Sequence, residues 1–234
     1  MAAEALAAGG VEVDLYDAMP SVGRKFLMAG KGGMNLTHSE PAELFLSRYA
    51  ERQTPIEPLL RRFDATALRA WVHGLGVETF VGSSGRVFPT DMKAAPMLRA
   101  WLHRLRGSGV RFHMRHKWIG WGDEALPLLR FATPDGERSV EADAVVLALG
   151  GASWPRLGSD AAWIPHLEAR NVGVSPFKPS NCGFDIDWSE HFSSRFAGEP
   201  LKAVAIGLPR EDGGIDWRTG ECLLTSTGIE GSLI

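Results

Sequence analysis

The chain has 234 residues, 44% of them hydrophobic and 23% charged, with a formal net charge of -3 at pH 7. This composition excludes a disordered or fibrous chain, and the small negative charge supplies no global field for nucleic acid or an anionic membrane. No apolar run reaches the roughly 18 residues of a membrane span, the N-terminus has no secretory-signal pattern, and Cys182 and Cys222 form neither a zinc nor a disulfide pattern, so a reduced, cytoplasmic setting is expected.

Residues 1–8 are rich in Ala, Leu and Glu, which predicts a helix stopped by Gly9-Gly10. Residues 11–16 alternate apolar and polar as a strand does, with Asp17 at its carboxyl end. A glycine-rich loop runs from Gly23 to Asn35, and Pro41 then opens a helix to about Ala50. Asp64 caps a helix whose apolar stripe is Leu68, Trp71, Val72 and Leu75. After a short strand over 77–81, Asp91 precedes a helix carrying Met97, Leu98, Trp101, Leu102 and Leu105 on one side.

Short strands are predicted over 110–114 and 117–121, and strands over 128–133 and 138–142 flank the turn Pro134-Asp135-Gly136 as a hairpin. The continuous apolar run 144–149, bounded by Asp143 and Gly150, predicts a strand buried on both faces of a parallel sheet. Beyond Gly173 the texture changes: Pro176, Pro179, Pro200 and Pro209 cut the chain into short pieces with strands over 203–208 and 221–225. A domain boundary is expected near Val174.

Helix, tight turn, strand and Asp17 match part of a dinucleotide-binding βαβ unit. There, a glycine turn and a helix N-terminus hold pyrophosphate, and an acidic residue ~20 positions later accepts from ribose hydroxyls. Counting back from Asp17 puts the glycine turn upstream of Met1. An ordinary strand ended by an acidic residue fits the same residues. In the next loop Arg24 and Lys25 precede Gly30, Gly32, Gly33 and Asn35; such glycines turn amides inward as an anion nest, and Arg24 can fork onto phosphate. A plain surface turn is the competing reading. The loop is not a Walker A motif, because Lys25 stands where its first glycine belongs and Gly32 where its Ser or Thr belongs. Gly150-Gly151 closes the 144–149 run, at the strand end where open α/β sheets bind ligands.

The chain resembles the BaiN/YhiN-like family of bacterial FAD-dependent oxidoreductases, some of them aminoacetone oxidase-like, nearly end to end. Gly23-Arg24-Lys25 through Gly30, Gly32, Asn35 and Thr37 carries most of the likeness. Gly85-Arg86-Val87-Phe88-Pro89, Leu149-Gly150-Gly151, Pro155 with Gly158-Ser159, and Leu224-Thr225 through Gly228 to Gly231 support it. Lys31, Gly33 and Met34 depart from the family's usual Gly-Arg-Cys run, which removes thiol chemistry at position 34. Asp17 stands where Glu is commoner. The resemblance implies FAD, with NAD(P)H as electron donor, and a β-rich domain inserted from about Val174 that this chain holds only in part.

Other chemistries are weaker. Arg99, Arg104, Arg106, Arg111, Arg115 and Lys117 form a basic stretch, but Arg99, His103 and Arg106 fall opposite the apolar stripe, as on a solvated face. His113 and His116, three apart on a strand, would point to opposite faces, which argues against a metal site.

The expected fold is α/β: a Rossmann-like FAD/NAD(P)-binding parallel sheet with a β-meander over 1–174, then the start of an inserted β-rich domain over 175–234. The expected function is an FAD-dependent oxidoreductase acting on a small molecule, without nucleic-acid or membrane partners. Its cofactor residues would be Asp17, Arg24, Lys25, Gly30, Gly32, Gly33, Asn35, Trp118 (through its backbone), Gly150, Gly151 and Gly158; no catalytic or metal residue is assigned. The rival readings are a fragment that does not bind flavin and a nucleic-acid module using 99–117.

Overall fold

The computed structural model describes residues 1–28, 33–122, 128–178, 183–231 and 233–234. Two compact units divide the chain, Met1–Val174 and Ser175–Ile234. In the first, α1 (Ala2–Ala8) leads to β1 (Asp14–Asp17), α2 (Arg24–Met28), β2 (Thr37–His38), α3 (Ala42–Ser47), α4 (Gln53–Arg62) and α5 (Ala65–Gly74). Then follow β3 (Thr79–Val81), β4 (Arg86–Pro89), α6 (Ala94–Gly107), β5 (Arg111–Met114), β6 (Lys117–Trp121), β7 (Leu128–Thr133), β8 (Gly136–Glu141) and α7 (Ile164–Glu168). The second unit holds β9 (Phe184–Asp185), α8 (Glu190–Phe196), β10 (Pro200–Pro209), β11 (Ile215–Leu224) and β12 (Gly228–Glu230).

Local signals set several of these elements. Asp64 caps α5, its Oδ1 accepting from the Ala67 amide at 2.7 Å. Asp91 instead holds a turn through the Lys93 amide (3.1 Å), and α6 begins three residues later. The core of the unit gathers Val72 of α5, Ala94 and Met97 of α6, and Met34, with Phe26, Leu68, Trp71 and Leu75 packed around them.

A polar knot pins the helices. Seven residues are too few for a stable isolated helix, and α1 buries none of them fully. Its Glu4 carboxylate accepts from the indole N–H of Trp101 (2.7 Å), the indole N–H of Trp71 (3.1 Å) and Nη1 of Arg104 (3.0 Å). The two indoles also meet edge to face, 4.9 Å apart. One carboxylate thus ties α1 to both α5 and α6.

From that knot α1 runs into β1 and α6 into β5, and these two strands pair in parallel, Asp14 opposite Arg111 through Asp17 opposite Met114. Arg111 clamps the start of the pair with a two-nitrogen grip on Asp14 (2.7 and 2.9 Å), and His113 Nε2 lies 2.7 Å from the same carboxylate. The Arg111 hydrogen bond, helped by His113, holds the Asp14 carboxyl well below the usual aspartate range. Tyr16 stacks between His113 (4.5 Å) and Phe131 (4.4 Å), and burial raises its hydroxyl above the ordinary tyrosine value.

An antiparallel meander, β6-β7-β8, continues from β5, and β2, β4 and β3 form a separate antiparallel sheet. The hairpin of β7 and β8 turns at Pro134-Asp135, with Thr133 opposite Gly136.

Three expectations fail. The run 144–149 forms no strand and is not buried: Val146 is 61% exposed. A strand hidden on both faces requires a neighbour to take its backbone hydrogen bonds. Among the described residues β1 and β5 pair only with each other, and no strand borders the run. The parallel sheet described is therefore a single pair. The helix opened by Pro41 stops at Ser47, short of Ala50. His113 and His116 do not face opposite ways. The strand ends at Met114, and Arg115 takes a left-handed φ of 58°. That turn brings the two rings 5.7 Å apart, both against Tyr16. No group of three or more metal-ligating side chains occurs among the described residues, nor any helix long and apolar enough to cross a membrane.

The second unit is an antiparallel sheet of order β10-β11-β12-β9. Its edge strand β10 begins and ends with proline and carries a register shift between Leu201 and Val204, features that discourage edge-to-edge pairing.

Glu4→Ala would leave two indole N–H groups and a guanidinium without their acceptor. The expected loss is about 2–4 kcal/mol, lowering Tm by on the order of 10 °C in thermal denaturation. Glu4→Gln, which keeps one acceptor oxygen, should lose less; equal Tm values for Glu4→Ala and the parent would refute the knot's role. The Asp14 carboxyl titrates lower folded than unfolded, so its pairing stabilises the chain above about pH 4 and fades as the pH falls through the depressed value. Solvent screens this partly exposed pair. The Tm gap between the parent and Asp14→Asn should therefore be widest near neutrality and close on acidification; a gap independent of pH would contradict the assignment.

Candidate cofactor-binding site

The carboxyl end of β1 is the starting point. Asp17 is half-buried there, and its Oδ1 accepts from the Met19 amide at 2.8 Å, so the strand turns sharply at its end. The backbone just after β5 supports the turn: the Arg115 amide donates to the Met19 carbonyl (3.1 Å) and the His116 amide to the Asp17 carbonyl (3.0 Å). Met19 then packs on Gly158, where a β-carbon would stand 3.1 Å from its Sδ. Gly158 takes a φ of 82° as it ends the short 3-10 turn Pro155–Leu157, so both its backbone conformation and the closeness of Met19 favour glycine.

Gly158 belongs to a small closed loop. Trp154 and Ser159 exchange backbone hydrogen bonds, each 3.1 Å. Just upstream, Gly150 takes a φ of 75°. The Gly150 carbonyl accepts from the Trp163 indole (3.1 Å) and the Gly151 carbonyl from the Ala161 amide (3.1 Å). The glycine pair is thus fastened from the 161–163 side. Beneath it lies Ser159, 4% exposed, its hydroxyl without a partner among the described residues.

α2 brings in the cations. Its first residue, Arg24, is half-buried, and Lys25 Nζ donates to Ser153 Oγ at 2.7 Å. Gly23, with a φ of 72°, lets the chain enter α2 hard against Leu98 of α6, whose Cδ2 would lie 2.7 Å from an added β-carbon. Asp17 with its turn, Lys25, Gly150, Gly151 and Gly158 therefore meet around one segment, residues 150–159.

Other expected positions lie elsewhere. Gly33, at a φ of 111°, fits against Met92, and Asn35 donates its amide back to the Gly33 carbonyl. Trp118 pairs with Phe131 across β6 and β7, and its ring meets Trp121 and His166, each at 5.1 Å. Its indole nitrogen is buried without a partner among the described residues. No hydrogen bond among the described residues links Gly33, Asn35 or Trp118 to the 150–159 segment. Gly30 and Gly32 lie outside the described residues. Ser153 and Trp163 carried no signal in the sequence, since a lone Ser or Trp in a loop belongs to no motif; Ser159 was visible only as part of the Gly158-Ser159 pair.

Known proteins resemble this chain in graded ways. It is 29% identical over 230 residues to the 3-dehydro-bile acid delta(4,6)-reductase of Clostridium scindens. The match covers 95% of the chain and 52% of that protein, so the chain spans about half the length of this curated relative. The structure of CabE, an aromatic hydroxylase from angucycline biosynthesis, superposes with a TM-score of 0.43 at 15% identity, over 98% of this chain and 42% of that one. The family described as HI0933-like protein Rossmann domain matches residues 1–231, and the chain belongs to that family.

Proposed function

We propose that this chain is the dinucleotide-binding part of an FAD-dependent oxidoreductase, reduced by NAD(P)H and acting on a small-molecule acceptor. The observation that carries the reading is that one segment, 150–159, meets both the turn held by Asp17, through Met19 on Gly158, and Lys25, through Ser153. Membership of a Rossmann-domain family and similarity to a reductase support it. The residues also fit such a group: the turn is held open by a left-handed glycine, and the buried Ser159 hydroxyl beneath it has no partner among the described residues.

In this reading Asp17 accepts from a ribose, with Oδ2 available while Oδ1 holds the Met19 amide. Arg24 and Lys25 offer positive charge to phosphate oxygens, and Gly150, Gly151 and Gly158 keep the backbone open to close approach. Gly33 and Asn35, and Gly30 and Gly32 in the same loop, would line the flavin side, while Trp118 would lend backbone groups to adenine. Bound FAD would supply hydride transfer; the protein's share is to orient it and exclude competing reactions. The basic stretch of α6 is not part of this reading, because Arg99, His103 and Arg106 are exposed on the helix side away from the core.

A second reading has one observation in its favour. The exposed Val146 and Leu147 beside the glycine turn suit a portion of the enzyme that does not retain flavin by itself. Titrating the chain into FAD separates the two. Quenched flavin fluorescence and a yellow protein after gel filtration are expected, with Asp17→Ala weakening binding about tenfold, as for one lost hydrogen bond to a charged acceptor. A protein that stays colourless in excess FAD would reject the first reading and leave the second.

A further inference from the structure

Met19, two residues past Asp17, is held from three directions. Its amide donates to Asp17 Oδ1 (2.8 Å), the turn that a short acidic side chain makes with the amide two residues on. Its carbonyl accepts from the Arg115 amide (3.1 Å). Its side chain lies on Gly158, where a β-carbon would stand 3.1 Å from Sδ and 3.2 Å from Cγ. Pro20 follows and restricts the Met19 backbone further. Two of the contact points take left-handed backbone, Arg115 at a φ of 58° and Gly158 at 82°. For a residue with a side chain, such as Arg115, that conformation is unfavourable and persists only where its surroundings hold it. The carboxylate of Asp17 is therefore tied, through one residue, to the segment that also carries the glycine turn.

We infer that Met19 is a positioning residue: it locks the Asp17 carboxylate to the 150–159 segment, so that the two keep one spacing. Met19 itself need not touch a ligand; it acts through Asp17. The inference rests on the dinucleotide reading for the ligand that Asp17 would meet, but not for the lock.

Two measurements test it. The first is a double-mutant cycle read by fluorescence titration with FAD and riboflavin, which lacks the adenosine ribose. Met19→Ala should weaken FAD about fivefold, as for a misplaced rather than a missing hydrogen bond. In an Asp17→Ala background Met19→Ala should weaken FAD no further. Riboflavin affinity should stay unchanged, and Met19→Leu, which keeps the apolar bulk, should bind FAD as the parent does. The second measurement needs no ligand: hydrogen exchange of the residue 19 amide, followed by NMR. Exchange should rise about tenfold in Met19→Ala, as that amide is released from Asp17. Gly158→Ala should raise it as well, and adding Met19→Ala to Gly158→Ala should relieve the crowding and restore the melting temperature in part. A chain that takes up no FAD, yet shows the faster exchange, would uphold the lock and reject the flavin assignment. The lock is overturned if exchange at residue 19 is the same in Met19→Ala and the parent. It is overturned equally if Met19→Ala weakens FAD alike with and without Asp17, or weakens riboflavin as much as FAD.

Discussion

The Glu4 carboxylate is the point on which the first unit is organised. Its three donors come from two helices far apart in sequence, and its own helix is too short to persist without them. Since α1 feeds β1 and α6 feeds β5, holding the helices together also delivers the two strands to one another. Arg111 then clamps Asp14 across the pair, so Asp17 arrives beside the turn at Arg115 in a single register.

The candidate site inherits its geometry from that pairing. The β1 end is braced twice by the Arg115 and His116 amides just after β5, and Met19 carries it onto Gly158. On the opposite wall the Gly150 and Gly151 carbonyls are fastened, while the amides of residues 150–153 donate to no acceptor among the described residues. Such an arrangement spends backbone acceptors on structure and keeps donors for a ligand, which suits an anionic group more than a cation.

Local chemistry was legible where it acts over a few residues. The Asp64 cap, the Pro134-Asp135 turn, the apolar stripes of α5 and α6 and the antiparallel meander all follow from periodicity and turn residues. Asp17, Lys25 and Gly150-Gly151 were recognisable as candidates because charge and glycine are placed at the ends of regular elements. What could not be read was pairing. The run 144–149 has the composition of an inner strand, yet a strand exists only where a neighbour accepts its hydrogen bonds, and hydrophobicity does not encode that neighbour. His113 and His116 were misjudged for a similar reason: a period-2 argument holds only while the strand continues, and a left-handed Arg115 ends it.

The amino-acid sequence alone determined the class of the fold, the helix and turn boundaries set by capping and glycine, and the residue types suited to a dinucleotide. These depend on short-range propensities and on a motif whose spacing reflects one βαβ unit. Only the tertiary structure decided that Glu4 joins three helices, that Lys25 reaches Ser153, and that an orphaned Ser159 hydroxyl lies beneath Gly150. Each of those depends on segments separated by tens of residues or more, or on which way a peptide plane faces, and the chain acquires both only when its elements pack.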